Sequence, residues 1–153
     1  MAVMKLLKRA LECAAQCNIE AMHKVFEQMD SAARTEFQEN IVKTNKKQCQ
    51  EKFILTLIAN AEKECENGNY FEMERIFIRA FEYVLNFYFG NDEESKKQKY
   101  SIRNSLEKCF GEIAKKKTIE FAESLIRKSA LFNEKEAGKI VHICEKAVKH
   151  SKK

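Results

Sequence analysis

Two cysteines and a histidine near the start of the chain are the first residues whose types and spacing allow chemistry. Cys13 and Cys17 stand at i, i+4, so on one continuous helix their thiols would face each other across a turn. His23 is the nearest further ligand in sequence. A structural zinc site sets such a pair against a second pair of ligands, and none follows at a suitable spacing. Cys49, Cys65, Cys109 and Cys144 are scattered singly, as cysteines are when they serve as small core hydrophobes. Glu20-Ala21-Met22-His23 has the Glu-x-x-His spacing of carboxylate-bridged iron bundles, which need that spacing on two helices. A second copy is missing. Neither a metal nor a cofactor is therefore expected.

The other titratable residues offer no catalytic pattern. His142 borders the apolar stripe of the last helix, but a base needs a nucleophile and an orienting acid beside it. Glu62, Glu64 and Glu66 read as a solvated helix face. The chain has no nucleophile elbow, phosphate loop, HExxH or dinucleotide fingerprint. Its four glycines, Gly68, Gly90, Gly111 and Gly138, each stand alone, which leaves no backbone cradle for an anion. The expected function is non-catalytic, although fold class by itself does not decide function.

Charge is the next candidate. Lys and Arg number 28 against 23 acidic residues, a net +5. The basic runs are Lys43 to Lys47, Lys96-Lys97-Gln98-Lys99, Lys115 to Lys117, and the C-terminal end. A nucleic-acid reading would use Lys97, Lys99, Lys116, Lys152 and Lys153 on phosphates, with Tyr100 stacking on a base. Acids interleave these lysines, and a solvated helical surface explains them equally well.

The elements that must position these residues are helices. The chain has 153 residues, no proline and few glycines, so a strand-rich fold would lack turn chemistry. Apolar periods and caps predict about seven helices. The first spans Ala2 to Gln16. Asn18 caps the second, with Met22, Val25, Phe26 and Met29 inward. Asp30 or Ser31 caps a third, with Phe37, Ile41 and Val42 inward, and the polar run Lys43 to Gln50 either interrupts it or is carried through. The next helix holds Phe53, Leu57, Ala61 and Cys65, and ends at Asn67-Gly68, a left-handed C-cap. Asn69 opens the helix that ends at Gly90. Asn91 to Glu94 opens another, ending near Lys115 to Lys117. Thr118 caps a helix with Phe121, Ala122, Leu125 and Ile126 inward. Asn133 and Glu136 form a capping box for the last, which faces Ala137, Ile140, Val141, Cys144, Ala147 and Val148 inward.

A repeat runs through this pattern. The stretches beginning at Asn18, Asn69 and Thr118 align, at spacings of 51 and 49 residues, and so do Ala10, Ala61 and Phe110, and Ala14, Cys65 and Ala114. This predicts three helical hairpins and a closing helix, stacked as an α-solenoid or gathered as an irregular bundle. Gly68-Asn69-Tyr70, Phe77 and Ala80, with Ala61 where the family has glycine, resemble the turn and second helix of a tetratricopeptide repeat. Met73 stands where that motif places a small residue. The resemblance covers Leu57 to Phe81 and departs from the family in the first helix's aromatic, the terminal proline and the 34-residue period. It implies a groove that takes a peptide or a partner helix.

The helix from Tyr70 to Phe89 is apolar on two faces. One holds Met73, Phe77, Ala80, Phe81, Val84 and Tyr88; the other holds Phe71, Ile78, Leu85 and Phe89. A helix apolar on two sides is expected to be sandwiched in the core. In the alternative, Phe71, Ile78, Leu85 and Phe89 stay exposed and dock a partner or a second copy. The expectation is one all-α domain over residues 1–149 with a basic tail, 150–153, acting as a protein-interaction module or adaptor that self-associates. The alternatives are a nucleic-acid-binding protein and a secreted microbial effector. No stretch reads as a membrane span or signal peptide, and the six cysteines are expected to be reduced in the cytoplasm.

Overall fold

With no proline anywhere, each helix stops only where a cap or turn stops it. The computed structural model describes residues 2–151, with backbone alone at Ala2. Among them are seven α-helices and no strand: α1 (Ala2–Ala15), α2 (Ile19–Ala32), α3 (Glu36–Glu66), α4 (Tyr70–Phe87), α5 (Asp92–Lys116), α6 (Ile119–Lys128) and α7 (Glu134–Ser151). The expected caps at Asn18, Thr118 and Asn133 are in place, and the acidic start expected at Asn91 to Glu94 proves to have Asn91 as its cap. Asn18 Oδ1 accepts from the Ala21 N–H at 3.2 Å and Thr118 Oγ1 from the Phe121 N–H at 3.0 Å. Asn91 with Glu94 and Asn133 with Glu136 close reciprocal capping boxes, each satisfying two backbone donors that a helix start leaves free.

Two boundaries differ from the sequence reading, and a third that it left open is decided. The cap of α3 is Thr35, which accepts from the Gln38 N–H at 3.1 Å, because α2 continues through Asp30 and Ser31. Nor does Lys43 to Gln50 interrupt α3, which runs for 31 residues. Lys and Gln are good helix formers, and this stretch is tied down by Lys46 to Asp30 and Lys47 to Glu94. Joining the two segments fixes the phase of the whole helix. Val42, Cys49 and Phe53 set the buried stripe, and at 100° per residue Phe37 and Ile41 fall off it. Phe37 is 75% exposed and Ile41 is exposed too. Finally, α4 ends at Phe87, short of Gly90. Phe121 on α6 is also exposed, laid edge-on against Tyr70 at 5.8 Å between ring centroids. α7 carries on through His150 and Ser151, so the expected tail begins as helix.

The helices form two layers. α1, α3, α5 and α7 lie side by side, each touching the next, while α2, α4 and α6 pack back on the helices that precede them. α7 also closes over α6. Aligned positions hold the same place in each hairpin. Ala10, Ala61 and Phe110 are buried, as are Ala14, Cys65 and Ala114, Met22, Met73 and Ala122, and Phe26, Phe77 and Ile126. The first two turns also share their hydrogen bonds. Asn18 N–H bonds the Cys13 carbonyl and Cys17 N–H that of Ala14; Asn69 N–H bonds Glu64 and Gly68 N–H bonds Cys65. Both are Schellman motifs with a left-handed residue, Gly68 at φ 80 and Cys17 at φ 56.

Candidate interaction surface on helix α4

The core side of α4 is made by Met73, Phe77, Ala80, Tyr83 and Val84, all buried. Phe71, Ile78 and Leu85 recur every seven residues on the opposite side of the helix. Phe71 is 83% and Leu85 64% exposed, and Ile78 is half-buried. The expected sandwich is therefore not what forms: neighbouring helices cover one face of α4 and leave the other open. Between the apolar residues on this open face stand Arg75 and Glu82. Arg75 pairs with Glu72 at 3.0 Å, an exposed contact of the kind worth little on its own. Phe89 does not join the stripe. It lies past the end of α4 with Lys46 Nζ 5.4 Å from its ring centroid; Lys46 also sits over Phe26 and bonds Asp30 at 2.6 Å.

The covered side of α4 is anchored by polar contacts that sequence reasoning missed. Gln50, fully buried on α3, donates to the Phe87 carbonyl at 2.7 Å and accepts from the Phe89 N–H at 2.9 Å. It thereby holds both sides of the point where the chain leaves α4. Tyr83 OH and His23 Nε2 are 3.0 Å apart, and the His23 ring stacks on Phe26 and meets Phe87 edge-on. Burial holds the His23 pKa below its usual value, Glu27 opposes this, and Lys46 adds to it. The only sequence signal was a tyrosine among apolar core positions. Its partner is 60 residues away and cannot be paired from periodicity.

The chemical candidates separate in space. Cys17 lies beyond the end of α1 in left-handed backbone, so Cys13 and Cys17 are not stacked across a helical turn as expected. The Cys17 sulfur accepts from Asn60 at 3.5 Å and its carbonyl from Arg79 at 3.1 Å. No cluster of three or more metal-ligating side chains occurs among the described residues, and all six cysteines are free thiols. His142 is exposed. Glu62 accepts from Ser105 Oγ at 2.7 Å.

The lysine runs meet only in part. Lys43 to Lys47 and the start of α5 come together at the Lys47–Glu94 pair, where carboxylates of Asp30 and Glu94 offset the cations. Lys97 and Tyr100 are exposed there and Lys99 is half-buried. Lys116 lies toward the other end of α5, roughly 28 Å along the helix at 1.5 Å per residue. Lys152 and Lys153 lie outside the described residues. No described helix is long and apolar enough to cross a membrane. No protein-family model, curated protein or solved structure matches the chain.

Proposed function

We propose that this protein is a non-catalytic interaction module whose partner at α4 is a second copy of itself. The observation that carries this reading is the open stripe of Phe71, Ile78 and Leu85 with Arg75 and Glu82 between them. Exposed apolar side chains recurring along one helix face mark contacts, and the charges between them specify which contact. Arg75 and Glu82 lie on the same edge of the stripe at 100° per residue. In an antiparallel pair with its two-fold axis beside Ile78, Phe71 meets Leu85 of the second copy and Ile78 meets Ile78. Arg75 then meets Glu82, twice by symmetry. A C2 interface must be self-complementary in this way. A parallel pair would bring Glu82 beside Phe81 and Leu85 and leave it without a cation.

Magnitudes place the association in the weak class. The 18 residues of α4 make a strip about 27 Å long and about 10 Å wide, about 270 Å² in projection, less than the roughly 800 Å² per partner of a stable complex. The dissociation constant is accordingly on the order of micromolar or weaker. The nucleic-acid alternative gains no comparable observation, because its described lysines, Lys97, Lys99 and Lys116, are split between the two ends of α5.

Analytical ultracentrifugation over a concentration series tests the proposal. A monomer–dimer equilibrium is expected. Arg75→Glu sets like charges together at both symmetric contacts and weakens the dimer by about tenfold. Adding Glu82→Arg to that variant restores the pairing, and with it the association. A protein that stays monomeric throughout, or a dimer indifferent to Arg75→Glu, would overturn the proposal.

A further inference from the structure

Two of the six free thiols differ from the rest in having each other and an opening. Cys65 is in the last turn of α3 and Cys109 two turns before the end of α5, and these helices pack together. The Cys65 Sγ–H donates to the Cys109 carbonyl at 3.6 Å, which sets the Cys65 sulfur directly against residue Cys109. Each side chain is nearly enclosed, yet both line a surface cleft of about 440 Å³ between α3 and α5, whose rim includes Tyr70, Lys108 and Lys116. The remaining cysteines lack this combination. Cys13 and Cys17 are half-buried and not stacked on a helix, and Cys49 and Cys144 are buried, with thiol pKa values pushed up to about 11 by burial.

We propose that Cys65 and Cys109 are a redox-active dithiol, oxidised to an intrachain disulfide by a small peroxide entering through this cleft. The roles of the two sulfurs follow from their surroundings. The Cys109 side chain beside it holds Cys65 below the usual thiol range and Lys116 acts in the same direction, against burial and the carboxylates of Glu112 and Glu66. The same contact pushes Cys109 up, with burial adding to it. Cys65 is therefore the thiolate that attacks, and Cys109 keeps its proton until the second step. In the first step the Cys65 sulfur takes one peroxide oxygen, the O–O bond breaks, and hydroxide leaves as water after taking a proton. Cys65 becomes a sulfenic acid. In the second, Cys109 attacks that sulfur, the S–S bond forms and the sulfenic oxygen leaves as a second water. The two thiols lose two electrons and two protons in all, and one hydrogen peroxide becomes two waters.

The reduced full-length protein, treated with hydrogen peroxide, quenched and alkylated under denaturing conditions, tests this. Intact mass spectrometry should find two fewer alkylated cysteines than the six present. Peptide mapping should join Cys65 to Cys109, and a phosphine reductant should return all six. Cys109→Ser should stop at a dimedone-reactive sulfenic acid on Cys65, while Cys65→Ser should leave Cys109 unoxidised. Six alkylated cysteines after peroxide, a disulfide between other cysteines, or oxidation of Cys109 that persists in Cys65→Ser would each overturn the proposal. The dimedone adduct keeps the Cys109→Ser arm readable, since it reports on Cys65 without requiring a disulfide.

Discussion

At the scale of the residue, the most informative position is Cys17. Gly68 and Cys17 occupy equivalent places in two Schellman turns with the same bonds, and both have positive φ. Glycine adopts that conformation freely, whereas a Cβ raises its energy by roughly 1–2 kcal/mol. Cys17 holds it because its neighbours pin the turn: Arg79 Nη2 donates to the Cys17 carbonyl and Asn60 to its sulfur. Cys17→Gly should relieve the strain and keep the Arg79 bond. The extra freedom of glycine in the unfolded chain, about 0.5–1 kcal/mol, takes back part of the gain. The expected result is a stabilisation of up to about 1 kcal/mol in urea unfolding, and a loss of stability would mean that the Asn60–sulfur contact outweighs the backbone strain. The sequence showed the αL position at Asn67-Gly68, where glycine announces it. It hid the equivalent one at Cys17, and that is why Cys13 and Cys17 read as stacked thiols on a continuous helix.

At the scale of the element, α3 and α4 show what local pattern reveals and what it does not. The caps at Asn18, Thr118 and Asn133, and the acidic start of α5, are short-range chemistry and were legible. So were the inward faces of α2 and α7, where a single clean stripe sets the phase. Whether Lys43 to Gln50 continues a helix depends instead on distant partners, Asp30 on α2 and Glu94 on α5. The open face of α4 was equally illegible, since a second apolar stripe has the same period whether covered or bare. Gln50 belongs to this class: a glutamine in a polar run, it sits fully buried as the clamp on the end of α4. Gln50→Leu keeps roughly the side-chain volume but strips partners from the Phe87 carbonyl and the Phe89 N–H. Both bonds are part-buried, so at about 1–2 kcal/mol for each group left unpaired, the lower part of the range for buried ones, a loss of about 2–4 kcal/mol is expected in denaturant unfolding. A change below about 0.5 kcal/mol would show that water replaces the amide at both groups.

At the scale of the whole molecule, the order of contacts decides how the parts share stability. α1, α3, α5 and α7 touch only in succession, so a disturbance at one end reaches the other through α3 and α5. Stability in such a row is close to a sum of local and nearest-neighbour contributions. α1 and α7 are its two ends, and each rests on two helices: α1 on α2 and α3, α7 on α5 and α6. The 31 residues of α3 make it the element that joins the first hairpin to the rest, which is also why the stack need not unfold all at once. Ile140 is buried on α7, and Ile140→Ala should cost roughly 2–5 kcal/mol through lost transfer energy and the cavity left behind. Amide hydrogen exchange resolves where that cost falls. Exchange should quicken in α5, α6 and α7, while the protected amides of α1 and α2 keep their rates. Equal acceleration in every helix would mean that the row unfolds as one cooperative unit, with α3 long enough to bind both ends into a single transition.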